Sequence, residues 1–105
     1  MAKRLVFSDK FQRSMEVFMV CSHDIYNQNT LLRLRDGIRQ NGKLLTENPY
    51  LGAVEFVLNK SDEFRRIVIK PYFKMLYVVE EDDIVLVDIW DTRRDPSYLK
   101  ESLFK

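Results

Sequence analysis

One cysteine, one histidine, three glycines and three prolines are all that this 105-residue chain holds of the residues that build disulfide frameworks, metal centres and flexible linkers. Cys21 alone cannot form an intrachain disulfide. It lies in "VFMVC", where a buried thiol in a reducing, cytoplasmic setting is the expected state. No spacing of His, Cys or carboxylates suits a metal, and no Gly-rich phosphate loop is present, so neither metal nor cofactor is expected. No run approaches the ~18 apolar residues that a membrane-spanning helix needs. The start, "MAKRLVFSDKF", has too short an apolar stretch for a signal peptide, so neither secretion nor membrane insertion is expected. Charge of one sign is also lacking. Seventeen Lys and Arg against sixteen Asp and Glu leave +1, too little to grip nucleic acid through the overall field, so any basic site must be local.

What is present is apolar patterning. A hydrophobic fraction of 46% over residues 1–105, with no repeat or low-complexity segment, fits one domain with one core. "RLVF" reads as a short strand, and Ser8 can cap the helix that follows. Phe11, Met15, Phe18 and Met19 recur at helical spacing and form a core stripe. "SHDIYNQN" breaks it, with His23 in a solvated or capping position. Leu31, Leu34 and Ile38 resume it in a helix over 30–40, which Asn41 and Gly42 are expected to end. Arg33, Arg35 and Arg39 occupy its other faces and read as solvated. The two helices form a hairpin.

After the turn "TENPYLG", the chain reads strand, turn, strand, turn, strand. Asp95 can cap a short last helix with Pro96 at its first position and Leu99 and Leu103 as apolar contacts. A three-residue loop at 81–83 makes Val79 face Val85, Tyr77 face Val87 and Lys74 face Trp90. Odd-numbered Ile67, Ile69, Phe73, Met75, Tyr77, Val79, Val85, Val87 and Ile89 then form the face that the hairpin covers. Even-numbered Arg66, Lys70, Lys74, Asp88 and Trp90 share the other face with Val68, Leu76, Val78 and Leu86. That mixed face suits a partner or ligand, or a sheet face with snorkelling lysines.

"IVLVDIWDTRRDP" ends its strand in Arg93 and Arg94 between Asp91 and Asp95. With Lys74 these arginines can make a cationic pocket whose forked donors match phosphate oxygens, or they can pair with the flanking carboxylates. The residues alone leave both readings open.

The segment "FRRIVIKPYFKMLYVVEEDDIVLVDIWDTRRDP" resembles the C-terminal half of the RelE/ParE superfamily of bacterial toxins. The shared features are Arg65 and Arg66 on one strand, "FKMLY", the hydrophobic strand "IVLVDIW" and the arginine-rich exit "DTRRDP". The upstream hairpin and "NPYLG" follow the same order. The resemblance implies an α+β fold, with an N-terminal helical hairpin packed on one face of a twisted antiparallel sheet and a short C-terminal helix.

It also implies the toxin of a type II toxin–antitoxin pair. RelE-like members cut messenger RNA on the ribosome without metal or cofactor. By position, Lys74 and Arg93 then stabilise the phosphate charge, and Tyr98 lies where some members place a tyrosine that helps to activate the hydroxyl. Arg66, or Arg65, holds the place of the upstream base; Lys70 and Arg94 are the further nucleic-acid contacts. Val68, Leu76, Val78 and Trp90 are the expected contacts of an amphipathic antitoxin segment. One departure stands out: Asp91 occupies a position where many members have histidine. The ParE-like branch, which poisons DNA gyrase without cutting nucleic acid, is the alternative, and an inactive interaction module of the same fold is a third.

Overall fold

The computed structural model describes residues 2–21, 26–59 and 62–93. Strand β1 (Arg4–Phe7) leads into helix α1 (Asp9–Glu16), which continues as a π-helical turn over Val17–Cys21. Helix α2 (Gln28–Glu47) is followed by β2 (Ala53–Asn59), β3 (Asp62–Ile69), β4 (Phe73–Val79) and β5 (Asp83–Asp91). Ser8 Oγ accepts from the Phe11 amide at 3.0 Å and Asn27 Oδ1 from the Thr30 amide at 2.8 Å, so each helix starts on a side-chain cap.

The five strands run in the order β1-β5-β4-β3-β2. The expectation of an antiparallel sheet needs one correction, since β1 lies parallel to β5 and the sheet is mixed. A helical crossover makes this possible, because α1 and α2 carry the chain across one face before β2 begins. Phe11, Phe18, Leu31, Leu34, Ile38 and Leu45 from the helical layer meet Ile69, Phe73, Met75, Tyr77, Ile84, Leu86 and Ile89 from the sheet, all buried. The expected α+β architecture of helices on one sheet face stands; the C-terminal helix, His23, Arg94 and Tyr98 lie outside the described residues.

Helix α2 does not stop at Asn41–Gly42. Its apolar spacing runs on to Leu45, and Gly42 packs inside, where an added Cβ would meet Leu5 Cδ2 at 2.7 Å. The glycine lets the helix approach β1; it does not end the helix.

The β4–β5 register holds at one end only. Lys74 faces Trp90 as expected, and Met75 faces Ile89, but Tyr77 faces Leu86 and Val79 faces Ile84. Val87 is the extra residue of a β-bulge between these stretches, and its carbonyl accepts from Ser8 Oγ at 2.7 Å. The bulge inverts the face assignment of the first half of β5. Ile84 and Leu86 fill the core in place of Val85 and Val87. Asp88, expected on the open face, is instead buried toward α1, where Ser14 Oγ donates to it at 2.6 Å and Lys10 Nζ lies at 3.5 Å.

Candidate functional site

The face of the sheet away from the helices carries a three-residue charged cluster built by three adjacent strands. In β2 the pairing with β3 shifts between Val54 and Phe56, which leaves Glu55 as a bulge residue. A bulge re-aims a side chain, and here Glu55 reaches across its neighbour strand. Its Oε2 accepts from Arg66 Nη1 at 2.9 Å and its Oε1 from Lys74 Nζ at 2.8 Å. Burial alone would raise the Glu55 pKa; the hydrogen bonds and charges of Lys74 and Arg66 outweigh it and hold the carboxyl below its ordinary value. Glu55 is therefore an anion at neutral pH. The side chains of Glu55 and Lys74 are each 20% exposed and that of Arg66 37%, so solvent and ligands reach the cluster.

Beside it, Lys74 Nζ sits 5.2 Å from the centre of the Trp90 ring. Trp90 and Leu76 form a small second core with Phe56 and Val87. This packing fixes the strand positions from which Arg66 and Lys74 project.

Arg93 belongs to a different place. Its guanidinium binds Asp91 through Nη2–Oδ2 at 2.8 Å and through Nε, while its amide donates to Asp91 Oδ1 at 2.8 Å. The ring of Tyr72 lies 3.7 Å from Arg93 Cζ, and the Tyr26 hydroxyl donates to Asp91 Oδ2 at 2.6 Å. Tyr26 is part of the helix-side core, so Asp91 faces the helices while its neighbour Trp90 faces away. Burial pushes the Asp91 pKa up, but the Arg93 and Tyr26 hydrogen bonds and the Arg93 charge bring it below the ordinary range. The same bonds raise the Arg93 pKa. The expected convergence of Lys74 and Arg93 on one positive hollow is thus corrected: they belong to opposite faces, and each is paired with its own carboxylate.

The remaining sequence candidates are dispersed. Arg65 is tied down within β3, between β2 and β4, with Nη1 donating to Gly52 O at 2.7 Å, Nη2 on Glu63 at 2.5 Å and its Cζ 4.9 Å from the Tyr50 ring centre. Lys70 is exposed in the β3–β4 turn. Of the four apolar residues expected to meet a partner, Val68 is 60% exposed and Val78 half-buried, whereas Leu76 and Trp90 are at 1% and 6% and packed within the chain. Glu55 was missed by the sequence reading. It sits in "AVEFVL" as an unremarkable outward residue, and only the bulge turns it onto the cations.

No protein-family model and no curated protein matches the chain. Solved structures do. A chain of the chromosomal ParDE toxin–antitoxin system from P. aeruginosa superposes with a TM-score of 0.64 at 14% identity, over 86% of this chain and 96% of that one. The conserved hypothetical protein HP0894 from Helicobacter pylori gives 0.60 at 19% identity, over 90% and 98%. A copper-bound mutant toxin from Helicobacter pylori gives 0.54 at 18% identity, over 89% and 97%. Over nearly its whole length, the chain has the RelE/ParE-like toxin fold.

Proposed function

We propose that the chain is the toxin of a toxin–antitoxin pair and acts as a metal-independent endoribonuclease on ribosome-bound messenger RNA, with its centre at Glu55, Arg66 and Lys74. The observation that carries this reading is one ionised carboxylate held between two cations on the exposed sheet face, at 2.8 and 2.9 Å. RNA cleavage by its own 2′-hydroxyl needs a proton acceptor, a proton donor and positive charge at the phosphate. Glu55 takes the proton of the 2′-hydroxyl as that oxygen attacks phosphorus. The bond from phosphorus to the 5′-oxygen breaks, and Lys74 supplies the proton to the departing oxygen. Arg66 binds the non-bridging oxygens with its forked donors. The products are a 2′,3′-cyclic phosphate and a 5′-hydroxyl. Arg93, bound to Asp91, has a structural role here, and the antitoxin is the proposed partner.

A second reading has its own support. The exit "DTRRDP" resembles the ParE-like branch, and one of the superposing chains comes from a ParDE system. In that reading the protein binds and poisons DNA gyrase. Induction in a bacterial host, followed by treatment of a translation extract and of purified gyrase with the protein, separates the two. Growth arrest with cut messenger RNA supports the nuclease; trapped gyrase cleavage complexes with intact message support the poison; unimpaired growth removes both.

A further inference from the structure

We infer that Trp90 is a positioning residue of the open-face cluster: its indole face holds the Lys74 ammonium in place while Glu55 changes charge. The inference rests on the nuclease reading above and gives a role to a side chain that packing alone does not explain.

Lys74 and Trp90 stand directly opposite each other on β4 and β5. The ammonium lies 5.2 Å from the centre of the indole ring, inside the roughly 6 Å over which a ring face attracts a cation. On its other side, Lys74 Nζ donates to Glu55 Oε1 at 2.8 Å. In the strand order β5-β4-β3-β2 the lysine is therefore held from both flanks, by an aromatic face on β5 and by a carboxylate that reaches over from β2. Trp90 itself is buried and packed with Leu76, Phe56 and Val87, so its ring is a fixed support.

Packing does not account for an indole at this position. Its Nε1 is buried and finds no hydrogen-bond acceptor among the described residues. A buried indole usually finds a partner for its N–H, and a desolvated donor without one destabilises the fold. Phenylalanine or leucine would help to fill the same small core and bring no such donor. What tryptophan alone adds is the strongest cation-binding face among the aromatic side chains, and that face meets Lys74.

The need for a second support follows from the proposed chemistry. When Glu55 takes the proton of the 2′-hydroxyl it becomes neutral, and its charge no longer attracts Lys74. Lys74 must still lie where it can give a proton to the departing 5′-oxygen, at the end of a flexible stem. The quadrupole of an indole does not titrate, so Trp90 keeps its hold through the step.

The test uses the full chain as parent, Trp90→Phe, Trp90→Leu, Lys74→Ala, and the double substitution of Trp90→Leu with Lys74→Ala, matched for folding by circular dichroism. The proton resonances of the Lys74 side chain and the single-turnover cleavage rate on ribosomes programmed with one message are followed. In the parent, the ring current should place the Lys74 side-chain protons upfield of those of the other lysines, and Trp90→Leu should return them to the ordinary lysine range. Cleavage at saturation should fall about tenfold in Trp90→Leu and less in Trp90→Phe, with the half-saturating concentration unchanged, because only the placement of the proton donor is lost. Added to Lys74→Ala, Trp90→Leu should leave the residual rate unchanged. The urea midpoint of Trp90→Phe should stay near the parent's, since removal of the unpartnered donor offsets the lost contacts. Parent rates in Trp90→Leu, Lys74 resonances that it does not move, or an equal loss of rate in the Lys74→Ala background would overturn the inference. Failure of the nuclease reading looks different: the parent itself leaves message intact, and the role of Trp90 in cleavage falls with it.

Discussion

Glu55 accepts from Lys74 Nζ at 2.8 Å across an intervening strand, a contact that exists because a bulge in β2 turns the carboxylate toward β4. The pair is the nearest thing on the open face to a proton acceptor beside a proton donor. Glu55→Gln keeps the shape and one hydrogen-bond acceptor but removes the base. Cleavage of ribosome-bound message should fall about 100-fold or more, the range that a positioned general base contributes. Circular dichroism and the antitoxin complex should be unaffected. Cleavage at the parent rate would remove Glu55 from the chemistry.

Asp91 is a buried anchor for three donors: the Tyr26 hydroxyl, the Arg93 amide and the Arg93 guanidinium. Asp91→Ala should lower stability by about 1–3 kcal/mol, the cost of leaving buried hydrogen-bonding groups without their partner. Arg93→Ala should cost less, since its side chain is 53% exposed. Urea unfolding of both variants gives the comparison, and the reverse order would mean that the guanidinium, not the carboxylate, holds this end of β5.

Close approach at glycines separates by what is approached. A methyl at Gly42 meets the flexible end of Leu5 and gains helix propensity, so Gly42→Ala should be nearly neutral. At Gly52 the methyl meets the Arg66 carbonyl and the Tyr77 hydroxyl, and the Gly52 amide already donates to the Tyr77 oxygen at 2.8 Å. Gly52→Ala should therefore cost about 1–3 kcal/mol. Thermal unfolding tests the ranking.

Stability should fall at both pH extremes for identifiable reasons. Asp91 and Glu55 have lowered pKa values in the fold. Their contribution is complete above the ordinary carboxylate pKa of about 4 and is lost as pH falls through the lowered folded values. Tyr77 has a raised pKa because burial outweighs its bond to Gly52 and the Arg65 charge. Its contribution is complete below about pH 10 and is lost as pH rises through the folded value. Urea midpoints against pH should show both limbs. The acid limb should shrink in Asp91→Asn, and the alkaline limb in Tyr77→Phe.

Much of this fold was readable in the chain. Phe11, Phe18, Leu34 and Ile38 have helical spacing, Phe73, Met75 and Tyr77 alternate, and these residues do form the core. Ser8 announces its cap. The failures share one cause, which is that local rules assume unbroken periods. A bulge at Val87 sends Asp88 to the helix side, and a bulge at Glu55 brings a carboxylate to the cations; neither leaves a mark in the residue types. Gly42 looks like a helix stop unless the approach of Leu5 is known. Arg93 looked available because pairing with Asp91 and stacking on Tyr72 depend on how the strand exit bends.

The central claim is that the Glu55–Arg66–Lys74 cluster, not Arg93, does the chemistry. Primer extension on a single message in a translation extract tests it, with parent, Glu55→Gln, Lys74→Ala and Arg93→Ala proteins that have been matched for folding. The account predicts cuts by the parent and by Arg93→Ala, and intact message with the other two. Cuts that vanish in Arg93→Ala but persist in Glu55→Gln and Lys74→Ala would contradict it.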